Sequence, residues 1–220
     1  MCFSAEASFV GGVIIASIGV ATIRKVHKPS QIVFASIPLF FGMQQIIEGF
    51  LWVILQNPEY AQFQKLATYG FLVLADVFWP MMIPLAVLTM EVNRKRRRVL
   101  WGLLSLGILL SLYYTLCLMS FNVNPEIRGY HIEYVVEFPK SQELFAFAIY
   151  LITSVTPLFI STIKRMKLLA VLMSLSCLVT MIFFTQYLTS VWCFFAAIIS
   201  IVILWILRDA RRKHILSKTE

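Results

Sequence analysis

Two carboxylates stand where a carboxylate is expensive. Glu48 and Asp76 each lie inside a long apolar run. Ionisable side chains in such runs mostly face a bundle interior or a water-filled cavity, and they are candidates for function. Each also has a plainer reading as a neutral carboxyl bonded to a neighbouring helix, because desolvation favours the uncharged form. Gln44 and Glu48 are four apart, and Gln45, Glu48 and Trp52 step by three and four. Helical spacing puts such residues on one face. Asp76 is followed by Trp79 and Pro80. Pro80 has no N–H to offer the carbonyl of Asp76 four residues earlier, so a kink with freed acceptors is expected there. Pro157 does the same to Thr153.

Three further groups extend the set. Glu6 and Cys2 sit at the start of the first apolar run, and His131 lies in the one sizeable loop. Glu6 is also explained as an acidic residue favoured by a helix N-terminus. His131 is also explained as a solvated loop residue, and Cys2 as part of a disordered terminus. Chemically, Glu48 or Asp76 suits a general base or a metal ligand. If Met1 is removed, Cys2 brings an amine and a thiol together as a nucleophile with its own base. Cys2, Glu48 and His131 together are a candidate mixed site for a divalent metal such as zinc. Glu6, Gln44, Gln45, Trp52, Trp79 and Tyr134 are the expected pocket lining around them.

The elements that must position these groups follow from composition. The chain is 60% hydrophobic and 14% charged over 220 residues, against about 45–50% and about 25% in soluble domains. About 20 apolar residues in a helix cover the hydrocarbon core. Seven runs qualify: 5–23, 31–55, 66–90, 99–119, 143–162, 168–187 and 190–207. The expectation is an all-α membrane protein, one seven-helix bundle over 1–207 with a basic tail at 208–220. Ser8, Gly12 and Ala16 step by four in the first run, as helix-packing contacts do.

Charge sets the orientation. The net charge is +8, but the basic residues cluster between apolar runs, so nucleic acid is not the expected partner. Sixteen of the 19 Lys and Arg (within 24–28, 94–98, 164–167 and 208–218) fall on one side if there are seven crossings. Only Lys65, Arg128 and Lys140 fall on the other. The positive-inside rule then puts the N-terminus outside and the C-terminus in the cytoplasm. Trp101 and Trp205 fall at the inner interface, and Trp52, Tyr60, Tyr113, Tyr114, Tyr187 and Trp192 at the outer, as an aromatic belt should. Four cysteines at irregular positions form no CxxC motif, and no cleavable leader is visible.

The outer loop 120–142 carries strand periodicity: Tyr130, Ile132, Tyr134, Val136 and Phe138 alternate with His131, Glu133 and Glu137. Asn124-Pro125 and Gly129 read as turn residues. A short extended or hairpin lid over the outer end is expected. Glu48 lies roughly 10 Å and Asp76 roughly 15 Å from that end at 1.5 Å per residue.

The opening Met1-Cys2-Phe3-Ser4-Ala5 resembles the start of an uncharacterised family of bacterial integral membrane proteins. Gln44-Gln45-Ile46-Ile47-Glu48-Gly49 with Trp52 is similar to a second motif of that family. The resemblance implies a bacterial inner (plasma) membrane location and no activity; it gives weight to the first residues, Cys2 among them. The functional expectation is an outer-half polar pocket of a metal-dependent or N-terminal-Cys enzyme acting on an amphiphile, with the bilayer and a small-molecule or lipid ligand as partners. The chain has three histidines and none in a span, which counts against a histidine-rich metal hydrolase. The alternative is a transporter or ligand-binding receptor, against which stand a nearly all-apolar inner half and the absence of an internal repeat.

Overall fold

The computed structural model describes residues 4–136, 140–163, 165–183 and 195–216. Helix α1 is Ala5–Ile23 and α2 is Ile32–Gln56. The third apolar run is one rod in three parts: α3 (Gln64–Leu72), a π-helical segment (Val73–Phe78) and α4 (Trp79–Met90). Then come α5 (Arg94–Ser120), strands β1 (Val123–Arg128) and β2 (His131–Val136), α6 (Lys140–Ile160), α7 (Met166–Phe183) and α8 (Ala196–Leu216). Five helical segments are long and apolar enough to cross a membrane, and Met166–Ile182 is a shorter apolar helix. The last helix continues past 207 to Leu216, so the first part of the basic tail is helical. Cys2, Glu137, Phe138, Lys164, Tyr187, Trp192, Cys193, Lys218 and the junction of the last two apolar runs lie outside the described residues.

Helices α1 and α2 pack backbone to backbone because small residues let them. A Cβ on Gly19 would stand 2.5 Å from the Leu39 backbone, and one on Gly42 would stand 2.6 Å from that of Ala16. A Cβ on Gly12 would meet the Ile46 side chain at 2.7 Å. Such close approach adds backbone packing contacts along the whole length of the pair. The Thr22 hydroxyl reaches the Ala35 carbonyl across the pair at 2.6 Å. Ser8 is fully buried on the same helix.

The two ends of the bundle differ. At one end the basic connections converge. The Arg211 guanidinium donates to the Arg24 carbonyl at 3.0 Å, and Arg96 donates to the Ile160 carbonyl at 2.6 Å. Arg165 pairs with Asp209 at 3.2 Å and lies 3.8 Å over the Trp205 ring. Glu91, 2% exposed, accepts from the backbone N–H of Thr162 at 2.8 Å. The main apolar core, with Phe34, Ile37, Ile83, Val87, Leu100 and Ile203, fills the bundle.

At the other end lies an antiparallel hairpin. Gly129 takes a φ of 63° in the two-residue turn that joins β1 to β2, as such turns require. Asn124 and Pro125, expected as turn residues, are paired strand residues opposite Val135 and Tyr134. Ile127 pairs with Ile132 and Val123 with Val136, which puts the apolar residues on one face. Ile132 is fully buried among Leu51 and Trp52 of α2. Tyr134 stacks on Phe71 at 4.9 Å and 7°. Tyr130 belongs to the turn instead and is exposed, because the strand begins one residue after it. Glu133, on the outward face, pairs with Arg128 at 2.7 Å.

A polar ladder under the hairpin as the candidate functional site

The α2 face anticipated from spacing forms. Gln44, Gln45, Glu48 and Trp52 are all buried, with Gln45 and Glu48 at 0% exposure. The Gln45 amide donates to Glu48 Oε2 at 2.6 Å, a short charge-assisted geometry if the carboxyl is ionised. One turn below, Trp79 Nε1 donates to Gln44 Oε1 at 2.8 Å. That bond joins α2 to the first residue of α4. Phe41 stacks on the same indole at 4.1 Å. Glu48 lies eight residues before the end of α2 at Gln56, about 12 Å along the axis.

Trp52 sits one turn above Glu48, against Leu51 and Ile132 at the foot of the hairpin. Its indole Nε1 is buried and has no hydrogen-bond partner among the described residues. Indole N–H groups usually find an acceptor when buried, and no described residue supplies one here. Tyr134 closes the same cluster from the hairpin side. His131, at the start of β2, is 9% exposed. Burial lowers its pKa from the ordinary value.

Asp76 occupies a different place. It lies in the π-helical segment, twelve residues along from Gln64, about 18 Å down. Its carboxyl makes no hydrogen bond or ion pair with a described residue, and none joins it to Glu48. Tyr114 of α5 lies within its electrostatic reach. What the segment shows is how a proline is accommodated. The kink expected at Pro80 is a π-bulge placed just before it. In a π-helix the carbonyl bonds five residues onward, and five residues before Pro80 is Ala75. The Tyr150 hydroxyl of α6 donates to that carbonyl at 2.7 Å. The Ser111 hydroxyl of α5 donates to the Val77 carbonyl at 2.6 Å. Gly107 lets α5 lie against Pro80, for a Cβ there would stand 2.1 Å from its carbonyl oxygen.

The remaining candidates divide. Glu6 is exposed in the first turn of α1, next to Ala5, which packs against the Leu51–Trp52–Ile132 cluster. Ser4 caps that helix by accepting from the Ala7 N–H at 3.2 Å. Cys2 lies outside the described residues. Among the described residues no three His, Cys, Asp or Glu side chains come together as a metal would need. No step below is routed through a metal. Tyr150, Ser111 and Gly107 carry no sequence mark of their own. The signal that could have found a donor such as Tyr150 is the N–H that Pro80 lacks.

The chain belongs to a family of unknown function, DUF6629, whose model matches residues 1–218. No curated protein and no solved structure matches it.

Proposed function

We propose that this chain is a multi-pass protein of the plasma membrane, with seven crossings and the N-terminus outside, whose outer half holds a polar site for an amphiphile. The observation that carries this reading is the buried ladder of Trp79–Gln44 and Gln45–Glu48 beneath the hairpin. A ladder of this kind is costly in a membrane unless it serves a ligand or a precise packing role. The seven-span count rests on the apolar runs. The orientation rests on the basic clusters, which lie at the end away from the hairpin. The apolar core between the ladder and the basic end favours a one-sided site over a route through the membrane. In an enzymatic form of this reading, Glu48 is the group positioned to accept a proton from a bound hydroxyl or water, with Gln45 holding its carboxyl in place.

Native mass spectrometry of the chain released from its own membranes tests the site. The expected result is a co-released amphiphile, one per chain, that Glu48→Gln loses while retaining its helical content. A wild-type chain that never carries an amphiphile would sink the reading. Topology is tested separately with single cysteines in a cysteine-free background. Tyr130→Cys should react with an impermeant thiol reagent on intact cells, and Arg94→Cys only after permeabilisation. The reverse pattern would overturn the orientation.

A further inference from the structure

We infer that the exposed face of α5 holds an anionic phospholipid, its phosphate against Arg94, Lys95 and Arg98 and its chains along the apolar stripe beyond them. Such a lipid presupposes the membrane reading proposed above and does not depend on the buried ladder. Five basic residues in a row open α5, with no acidic residue in its first turn. Two of them turn back on the protein. Arg96 donates to the Ile160 carbonyl, and Arg97 to the carbonyls of Leu88 and Glu91. Arg94, Lys95 and Arg98 are exposed, and none of them pairs with a carboxylate among the described residues. The described acidic groups at this end are committed elsewhere. Glu91 accepts from N–H groups and a hydroxyl of the adjoining turns, and Asp209 pairs with Arg165. Cations gathered this closely favour an anion among them. The Asn93 side chain already accepts from the Lys95 and Arg96 N–H groups, so side chains and not the helix end hold that anion.

The surface along the same helix makes the anion a lipid. Arg94 and Arg98 are one turn apart, and Trp101, Ser105, Leu109, Leu112 and Leu116 follow them on one side at helical spacing. All are exposed, Trp101 at 54% and Leu109 at 63%. The surface beside Trp101 is open at Gly102, where a Cβ would meet nothing within 4 Å. Cations, then an indole and a hydroxyl, then leucines: a phosphate, a glycerol ester and acyl chains come in the same order. Charge argues against a second copy of the chain on this face. Copies inserted the same way and related by a twofold axis along the membrane normal set Arg94, Lys95 and Arg98 against themselves. Helix α8 offers a comparison within the molecule. Arg208 and Arg212 are exposed there above Trp205 and Ile201. Asp209 puts a carboxylate beside them, and Arg165 already covers one face of the Trp205 ring at 3.8 Å.

The test places the full chain in phosphatidylcholine nanodiscs with a rising share of phosphatidylglycerol, one lipid or the other carrying brominated chains. Bromine quenches an indole that it touches, and the Trp101 signal is the difference between wild type and Trp101→Phe. Brominated phosphatidylglycerol should quench Trp101 about tenfold more effectively per molecule than brominated phosphatidylcholine, since each cation near an anionic head adds about fivefold before screening. Arg94→Gln with Arg98→Gln should level the two lipids. The same pair of changes at Arg208 and Arg212 should leave the Trp101 preference intact. Should the α5 double variant not fold, Arg98→Gln alone decides, with a loss of about fivefold expected. Equal quenching of Trp101 by the two lipids in the wild type overturns the site. A preference that the α8 changes remove as fully as the α5 changes also overturns it, because the attraction then belongs to the whole basic end. Trp101 shielded from both lipids while other tryptophans are quenched puts a second copy on this face and overturns the lipid. Quenching of no tryptophan by either lipid overturns the membrane reading itself.

Discussion

Replacing Glu91 should loosen the basic end of the bundle in a way that depends on pH. Oε1 accepts from the Val92 N–H at 3.0 Å, the Asn93 N–H at 2.9 Å and the Thr162 hydroxyl at 3.2 Å. Oε2 accepts from the Thr162 N–H at 2.8 Å. One carboxylate thus ties the turn between α4 and α5 to the turn after α6. Arg97 braces the same turn by donating to the Leu88 carbonyl at 2.9 Å and the Glu91 carbonyl at 3.0 Å. Hydrogen bonds to a charged group are each worth about 1.5–3 kcal/mol. Val92, Asn93 and Thr162 are exposed, so water replaces much of what Glu91→Ala removes. A net loss of about 2 kcal/mol is the expectation, or about 4–8 °C in Tm for a chain of this size. Glu91→Gln keeps one acceptor and should fall between.

The pH dependence has a definite sign. Burial by itself would raise the Glu91 pKa. The hydrogen bonds from Asn93, Thr162 and Val92 together outweigh it and hold the carboxyl below its ordinary value of 4.5. A carboxyl depressed in the folded state contributes stability that is present above its unfolded pKa. That stability is lost as the pH falls through the folded value. The Tm gap between wild type and Glu91→Ala should therefore be full at neutral pH and should close below about pH 4. Thermal unfolding in detergent, followed by circular dichroism across that range, measures it. Equal Tm values at neutral pH, or a gap that persists unchanged into acid, would refute the reasoning.

Three more outcomes follow from the broken third rod. Gly107→Ala drives a Cβ to 2.1 Å from the Pro80 carbonyl oxygen, and backbone cannot swing aside, so a loss of about 3 kcal/mol is expected by thermal unfolding. Tyr150→Phe leaves the Ala75 carbonyl without its donor and should cost about 1–3 kcal/mol. Combined with Ser111→Ala, which releases Val77 on the same bulge, the loss should depart from additivity in a double-mutant cycle. Asp76→Asn removes an ionisable group with no hydrogen-bonded or ion-paired partner among the described residues, so Tm should stay level or rise, because an uncharged amide is cheaper to bury. A fall in Tm would show that Asp76 is paired.

Much of the arrangement could be read from the residues alone. Long apolar runs are helices in the described residues, as they must be wherever a backbone has only itself to bond to. The spacing of Gln44, Gln45, Glu48 and Trp52 placed them on one face, since a helix has a fixed period. The small residues Ser8, Gly12 and Ala16 announced a helix-packing face, and the structure supplied α2 as its partner. Alternation announced the hairpin and Gly129 its turn, although Tyr130 joins the turn and Asn124-Pro125 join the strand. Spacing could not separate a strand-forming Asn124-Pro125 from a turn-forming one.

Other features belong to the tertiary structure because they join residues far apart in sequence. Pro80 foretold freed carbonyls, but a local rule could not say that the register would slip into a π-bulge. Nor could it say that hydroxyls from Ser111 and Tyr150 would fill the gap, 34 and 75 residues away from their acceptors. Glu48 and Asp76 looked alike as intramembrane carboxyls. Packing separated them: one is bonded to Gln45 in a ladder beneath the hairpin, and the other stands on the π-helical bulge of the third rod. Sequence determines which side chains share a helix face, through a period of 3.6 residues. Which face meets which, and therefore that Trp52 lies under Ile132 of the hairpin and Trp79 against Gln44, is decided only when the helices close against one another.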